Sequence, residues 1–316
     1  MAKLQEGIKE KDLSQGSLFV FVVLEAAQHL KDLKKMDYKI LRAIEIGMRY
    51  GQYVSVETIM GYTKLSQQKT EYILSNLHKK GMVRRWTGHF IGYELTSTGY
   101  DSLALDRLYE EGHIVSLGDE KGMGKESQVF FAQRPDGTTC IIKIHRVGYT
   151  SFQQTRKKRR YTSDKRHLSA LYASRLSAEE EFKWLKRAYK NGLPVPEPLA
   201  INRHIIVMEF IDGWDLVEIR KLEDAEEFLD DILQFIKDAW CKAGIVHGDL
   251  SQYNIIITPD GEIRVIDMPQ AVEKWEENAM ELLERDIRNV LVFFERKYKI
   301  RRNEKEVLSQ TIDCED

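Results

Sequence analysis

Between Val246 and Gln270 the chain reads VHGDLSQYNIIITPDGEIRVIDMPQ. Asn254 follows Asp249 by five residues, and Asp267 follows Asn254 by thirteen. Phosphoryl transfer asks little else of a protein. One group orients the attacking oxygen, and others hold the metal ions that neutralise the phosphates. Asp249 suits the first task, Asn254 and Asp267 the second. The stretch IIIT-PDG-EIRVID predicts a hairpin turning at Pro259-Asp260-Gly261. Asn254 would then lie just before the first strand and Asp267 at the end of the second, both facing one cleft. The plain alternative is a surface hairpin with ordinary turn acids. It leaves His247-Gly248 and the upstream features unexplained.

Those features are the elements that would present a nucleotide to the hairpin. The segment IVSLGDEKGMGKESQVFFAQ, followed by TTCIIKIHRVG, reads as strand, Gly-rich turn, strand, turn, strand. Gly122 and Gly124 let the backbone approach phosphate closely, and Lys125 and Ser127 add donors. Lys143 follows Gly124 by nineteen residues, in CIIKI, where its apolar neighbours demand a partner for the charge. The predicted helix SAEEEFKWLKRAY offers Glu181, and helical phase leaves Glu179 and Glu180 open as rivals. An exposed turn at Asn191–Pro196 leads to two strands, EPLAINR and HIIVMEFIDG. By position, Met208, Glu209 and Ile211 would form a hinge whose backbone meets an adenine edge. A helix over 224–243 then leads into the Asp249 loop.

The N-terminal third has a different pattern. Residues 18–34 suit a helix. Asp37 is a plausible N-cap for YKILRAIEIGMRYG, Val56 to Met60 suggests a second helix, and Ser66 caps a third that Gly81 closes. Two β-rich runs, MVRRW and FIGYELT, follow about a turn at Thr87-Gly88. Three helices and a two-stranded wing make a winged helix. In such a module the third helix and the wing usually touch nucleic acid. Here the candidates are Gln67, Gln68, Lys69, Lys79, Lys80, Arg84, Arg85 and Trp86, with phosphate contacts expected over base readout. Protein contact is the alternative use. Arg156, Lys157, Lys158, Arg159 and Arg160 form a run of five cations in an insert spanning 145–178. Their self-repulsion predicts a mobile loop that either contacts nucleic acid or is merely solvated.

With 316 residues, 42% apolar and 31% charged, the chain fits a soluble protein of two domains. A net charge of −2 decides nothing, because the charges are unevenly distributed. The longest apolar run, Leu18–Leu24, is seven residues, too short to span a bilayer and without signal-peptide character. Cys140, Cys241 and Cys314 are scattered, with no metal-ligand spacing, so reduced thiols in an intracellular setting are expected.

Gly-x-Gly-Lys-Glu-Ser, Lys143, Glu181, VHGDLSQYN and IDMPQ, in this order, resemble the Rio family of atypical serine/threonine protein kinases. The winged helix points to the second Rio subfamily, and the resemblance covers about residues 30 to 300. It implies an α+β fold: an N-terminal helix and winged helix over 1–100, a linker helix over 101–113, and a minimal bilobal kinase-like domain over 114–316. The small lobe would end near residue 209. Lys143 would hold the α- and β-phosphates and pair with Glu181, while Ser127 and the Gly122–Lys125 turn contact phosphates. Asp249 would be the catalytic aspartate. Asn254 and Asp267 would hold magnesium, with manganese as an alternative ion. ATP hydrolysis through an aspartyl-phosphate on Asp267 is also implied. So are a cytoplasmic location, a monomer when free, no membrane, and action on precursors of the small ribosomal subunit through their RNA and proteins.

Departures from ordinary protein kinases shift the emphasis to ATP binding. His247-Gly248-Asp249 lacks the arginine that anchors a phosphorylated activation loop. Ser251 replaces a lysine, and Met268-Pro269 replaces Phe-Gly. Only 49 residues follow Asp267, which leaves little room for peptide-docking helices. Two other readings use the same residues. One is a small-molecule phosphotransferase of the aminoglycoside or choline kinase type. The other is a nucleic-acid-binding regulator with the kinase lobe as a scaffold.

Overall fold

The computed structural model describes residues 32–123, 126–147 and 170–314. The Gly124–Lys125 tip, the Arg156–Arg160 run and the helix expected over 18–34 as far as residue 31 lie outside the described residues, and residues 32–34 are not helical. The chain divides into two compact units. The first comprises Met1–Thr138, Lys143–Arg175 and Asn202–Ile205, and the second Thr139–Ile142, Leu176–Ile201 and Ile206–Asp316.

The first unit opens with the winged helix. Helices α1 (Lys35–Gly47), α2 (Val56–Thr63) and α3 (Gln67–Lys79) pack beside a sheet of β1 (Val54–Ser55), β2 (Val83–Thr87) and β3 (Ile91–Leu95), in the order β1-β3-β2. The amphipathic spacing seen in the sequence buries Ile40, Leu41 and Ile44 of α1 against Leu74 and Leu77 of α3 in one core. Asp37 is not the N-cap. The helix starts two residues earlier, at Lys35, and Asp37 reaches back from the third helical position to accept the Lys34 amide at 2.7 Å. Ser66 is the N-cap of α3 by position, but its side chain makes no capping bond.

Helix α4 (Ser97–Glu110) adds Tyr100 and Leu103 to the same core. Its Asp101 is fully buried and accepts both Arg146 guanidinium nitrogens, at 2.7 and 2.5 Å. The Nε2 of buried His204 lies 2.7 Å from the same carboxylate. The Arg146 charge and these bonds outweigh desolvation and hold Asp101 down at about 2. Burial drives His204 down to about 4 despite the carboxylate, so the ring is neutral at pH 7 and donates its Nε2 proton to Asp101. This cluster binds α4 to the ends of two strands of the larger sheet. That sheet contains β4 (Ser116–Met123), β5 (Ser127–Gln133), β6 (Thr139–His145), β7 (Pro198–Asn202) and β8 (Ile205–Glu209), in the order β4-β5-β6-β8-β7.

The second unit contains helix α5 (Ala170–Lys190) from Leu176 onward, the short strand β9 (Trp214–Asp215) and helix α6 (Ala225–Asp238). The helix expected over 224–243 changes to a π-helical turn at Ala239–Ala243 and stops at Gly244. Strands β10 (Ile245–Val246), β11 (Ile255–Ile257), β12 (Ile263–Val265) and β13 (Val272–Glu273) follow, then helices α7 (Ala279–Tyr298) and α8 (Glu304–Ile312). The apolar face of α6 buries Leu229, Ile232, Phe235 and Ile236, and α7 buries Leu283, Ile287, Val290 and Phe294.

The expectation of three reduced cysteines fails. Cys241 and Cys314 form a disulfide, and Cys140 is buried on β6. The partners are 73 residues apart, so spacing gave no hint of their contact. Helix α8 returns the chain to the π-helical turn, where the two Cα atoms are 5.5 Å apart.

Candidate active site

The hairpin forms as its residues predict. Strands β11 and β12 pair antiparallel, with Ile255 opposite Val265 and Ile257 opposite Ile263. The turn closes through the Glu262 carbonyl, which accepts the Thr258 amide at 2.9 Å, and the Thr258 carbonyl, which accepts the Gly261 amide at 3.0 Å. The Ile266 amide donates to the Asn254 carbonyl at 2.9 Å, so the residue before Asp267 is tied to the residue that opens the hairpin. Asn254 is further fixed by its own Nδ2, which donates to the Asp249 carbonyl at 2.8 Å. The amide nitrogen being engaged, Oδ1 remains as the acceptor.

Asp267 itself has φ of +68°, a left-handed conformation rare outside glycine but tolerated by Asp. Met268 is buried and Pro269 follows, so the backbone on the far side of this carboxylate is anchored and stiff. Asp249 and Asp267 are both exposed, and Asn254 is half-buried. An amide oxygen and a carboxylate are hard donors of the kind magnesium takes, with the remaining positions left to phosphates and water. The donor set therefore fits that ion.

The loop carrying Asp249 is held from beneath by a residue the sequence reading missed. Asp286, on the buried face of α7, accepts the amides of Gly248 at 2.7 Å and Leu250 at 2.9 Å, one on each side of Asp249. Burial raises the Asp286 carboxyl, while His247 and these two amides oppose the rise. Arg285 donates to the Gly248 carbonyl, Asn289 donates to the Leu250 carbonyl at 3.2 Å, and His247 Nε2 meets the Ile266 carbonyl at 3.2 Å. Gly248 has φ of +79°, and a Cβ there would stand 2.5 Å from the Gln270 carbonyl oxygen, so no other residue fits. The available signal was a charged residue on the apolar stripe of ELLERDIRNVL, three residues after Leu283 and four before Val290. A carboxylate in that stripe needs buried partners.

The remaining nucleotide-binding candidates fall as follows. Gly122 is near the end of β4, whose pairing with β5 shifts register between Glu120 and Gly122, and Ser127 begins β5. Lys143 is 6% exposed on β6. Of the three carboxylates on α5, Glu179 is exposed and Glu180 half-buried beside Lys183, whereas Glu181 is 2% exposed. Met208 and Glu209 end β8. The Glu209 amide donates to the Glu197 carbonyl at 2.9 Å, so the Glu209 carbonyl, not its amide, is left for an adenine edge. Ile211 is buried two residues on.

On the winged helix, Gln67, Gln68, Lys69 and Lys79 are exposed along α3, with Arg84 and Arg85 exposed on β2. They are not equally available. Gln67 donates to Glu71 at 2.9 Å, Arg84 lies 3.1 Å from Glu94, and Lys80 is 4.0 Å from Asp32. Lys69, Lys79 and Arg85 make no ion pair among the described residues, and no described helix is long and apolar enough to cross a membrane.

Comparison with known proteins places these parts in a family. A model of the RIO domain matches residues 128–307, and a model of the Rio2 N-terminal domain matches residues 30–111. The chain is 35% identical over 269 residues to serine/threonine-protein kinase rio2 of Dictyostelium discoideum, covering 85% of this chain and 51% of that protein. It is 36% identical over 265 residues to RIO-type serine/threonine-protein kinase Rio2 of Methanocaldococcus jannaschii, covering 82% and 96%. It thus spans about half the length of the first relative and nearly all of the second. A crystal structure of the Rio2 kinase from Chaetomium thermophilum, in an ADP/Mg2+-phosphoaspartate complex, superposes with a TM-score of 0.78 at 28% identity. The match covers 91% of this chain and 89% of that one.

Proposed function

Because this chain belongs to the Rio2 branch of the RIO kinase family, we propose that it binds ATP with magnesium and transfers the γ-phosphoryl group to Asp267 before hydrolysis. The observation that carries this reading is the main-chain clamp of Asp286 on both sides of Asp249, beside an Asp267 carboxylate held on stiff backbone. The Glu209 carbonyl and the Ile211 amide are an acceptor and a donor suited to the adenine edge. Gly122, Ser127 and Lys143 would take the phosphates, with Gly124 and Lys125 completing the turn and Glu181 balancing the lysine charge. Magnesium, held by Asn254 and Asp267, would supply charge neutralisation on the phosphates.

In the transfer step an Asp267 carboxylate oxygen bonds to the γ-phosphorus and the bond to the bridging β-oxygen breaks, releasing ADP. Hydrolysis of the resulting acyl phosphate then needs a water, which Asp249 orients and deprotonates, returning the Asp267 carboxylate and free phosphate. The phosphoaspartate in the Chaetomium thermophilum complex supports such a step.

The test is acid-quenched labelling with γ-labelled ATP. The wild type should retain a hydroxylamine-labile label that Asp267→Asn lacks, and hydrolysis should fall with it. Equal labelling and turnover in both would overturn the assignment.

The physiological setting we propose is maturation of the small ribosomal subunit in the cytoplasm, with the protein monomeric when free. The exposed Lys69, Lys79 and Arg85 support contact with pre-ribosomal RNA, and the Arg156–Arg160 run would add to it. Nucleotide state can release such a particle only if the two states bind it differently. Crosslinking to RNA in cells, in the wild type and in Asp249→Ala, should recover ribosomal precursor RNA from both, with longer occupancy in the variant. Recovery of no ribosomal RNA would exclude this setting.

A further inference from the structure

The winged helix carries a second feature that uses none of the basic residues above. A surface cavity of about 500 Å³ opens between the end of α1, the start of α2 and the wing. It is lined by Tyr50, Tyr53 and Phe90, together with Ser55, Glu57 and Thr58. Soluble proteins rarely leave several aromatic rings in water side by side. Here Tyr50 is 84% exposed and Phe90 45%.

The rings are held by design of the backbone. Tyr53 stacks on Trp86 at 5.1 Å between centroids and 12° between planes, and Phe90 meets Trp86 edge-on at 5.2 Å. Two glycines make room for them. A Cβ on Gly92 would sit 2.8 Å from both the Phe90 ring and Tyr53 Cβ, and one on Gly88 would sit 2.1 Å from the Trp86 ring. Tyr53 and Phe90 are therefore pre-positioned, and an occupant would not have to order them.

The charge of the cavity selects the occupant. Among its lining residues Glu57 alone is charged at pH 7. Its own backbone amide and the Ser55 hydroxyl hold its carboxyl below the usual carboxylate range. Glu57 makes no ion pair among the described residues. The neighbouring cation on β2, Arg84, is matched by Glu94, which also accepts from Gln52 at 3.1 Å. A carboxylate repels phosphate, so a nucleic-acid strand is the poorer match. Aromatic faces attract cations, and a guanidinium both stacks on rings and forks onto a carboxylate.

We propose that this cavity receives an arginine side chain of a polypeptide partner, stacked on Tyr50 and Phe90 and paired with Glu57. The winged helix then has two recognition faces, a basic one for phosphate and an aromatic, anionic one for a basic protein segment.

The test uses the full chain and three fluorescent probes: a Gly-Ser peptide carrying one arginine, its glutamine counterpart, and a uridine decamer. The arginine peptide should bind at least about fivefold tighter than the glutamine peptide. Glu57→Gln and Phe90→Ala should each weaken it about three- to fivefold, with melting curves confirming that both variants fold. Equal binding of the two peptides, or no binding of the arginine peptide, would overturn the proposal. So would a uridine decamer whose binding is lost in Phe90→Ala and strengthened in Glu57→Gln, which would mark the rings as a base-stacking platform.

Discussion

The Asp249 loop and the basic face of α3 both present polar side chains to solvent, yet they are built in opposite ways. The Asp249 loop has no regular structure of its own. Its geometry is imposed by a buried carboxylate that grips two backbone amides, by a glycine with no room for a side chain, and by an imidazole against the Ile266 carbonyl. Lys69, Lys79 and Arg85 instead project from an ordinary helix and strand, with no ion pair to another described residue. The difference suits the two proposed roles. Bond making needs oxygens placed to within a fraction of an ångström, whereas attraction to a phosphate chain tolerates flexible cations.

Substitutions should separate the two designs. The largest expected effect is on turnover. Asp249→Ala and Asp267→Asn should each lower ATP hydrolysis by about a hundred- to ten-thousandfold. Because both side chains are exposed, the melting temperature should move little; a large fall would mean that they are structural. Asp286→Ala should behave differently, losing turnover and about 3 kcal/mol of stability together, since two buried amides lose a charged acceptor. Urea unfolding measures this, and an unchanged midpoint would show that the clamp is unimportant to the fold.

The acid response sharpens the contrast from the first unit. His204 is held near 4 against an ordinary 6.5, so the unfolded chain takes up its proton first. Stability should therefore be full above about pH 6.5 and fall by about 3 kcal/mol on the way to pH 4. Asp101, held near 2 against 3.8, should add a further loss of about 2 kcal/mol as pH falls from about 4 towards 2. Stability curves at stepped pH should show the first slope in the wild type and a flatter one in His204→Gln. The smallest effect belongs to the basic face. Lys69→Ala and Arg85→Ala should each weaken RNA binding by about 1 kcal/mol at moderate salt and reduce the salt slope by about one, leaving hydrolysis untouched. A change confined to one RNA sequence would indicate base readout instead.

Much of the candidate site was legible because its signals are local. Asn254, the Pro259-Asp260-Gly261 turn and Asp267 lie within fourteen residues, and the β-rich runs on either side of the turn define the strands between them. The three helices and wing were legible for the same reason. The first N-cap moved because an acid at the third helical position looks like one at the cap, and the first two helices end at Gly47 and Thr63 rather than where the sequence placed them. What was hidden depends on distant partners. Helical phase could not choose among Glu179, Glu180 and Glu181, which burial separates. Asp286 meets its amides across 36 and 38 residues, and Asp101 meets Arg146 and His204 across 45 and 103. No window of sequence contains such pairs.

The link between Cys241 and Cys314 encloses Asp249, Asn254, Asp267 and the whole of α7 in one covalent ring. A protease that nicks the hairpin tip would open the ring without releasing either fragment. The cut protein would run as a single band until a reductant is added, and the two pieces would stay joined beside the π-helical turn in the meantime. In an oxidising preparation, then, tolerance of backbone cleavage is a property of the segment between Cys241 and Cys314.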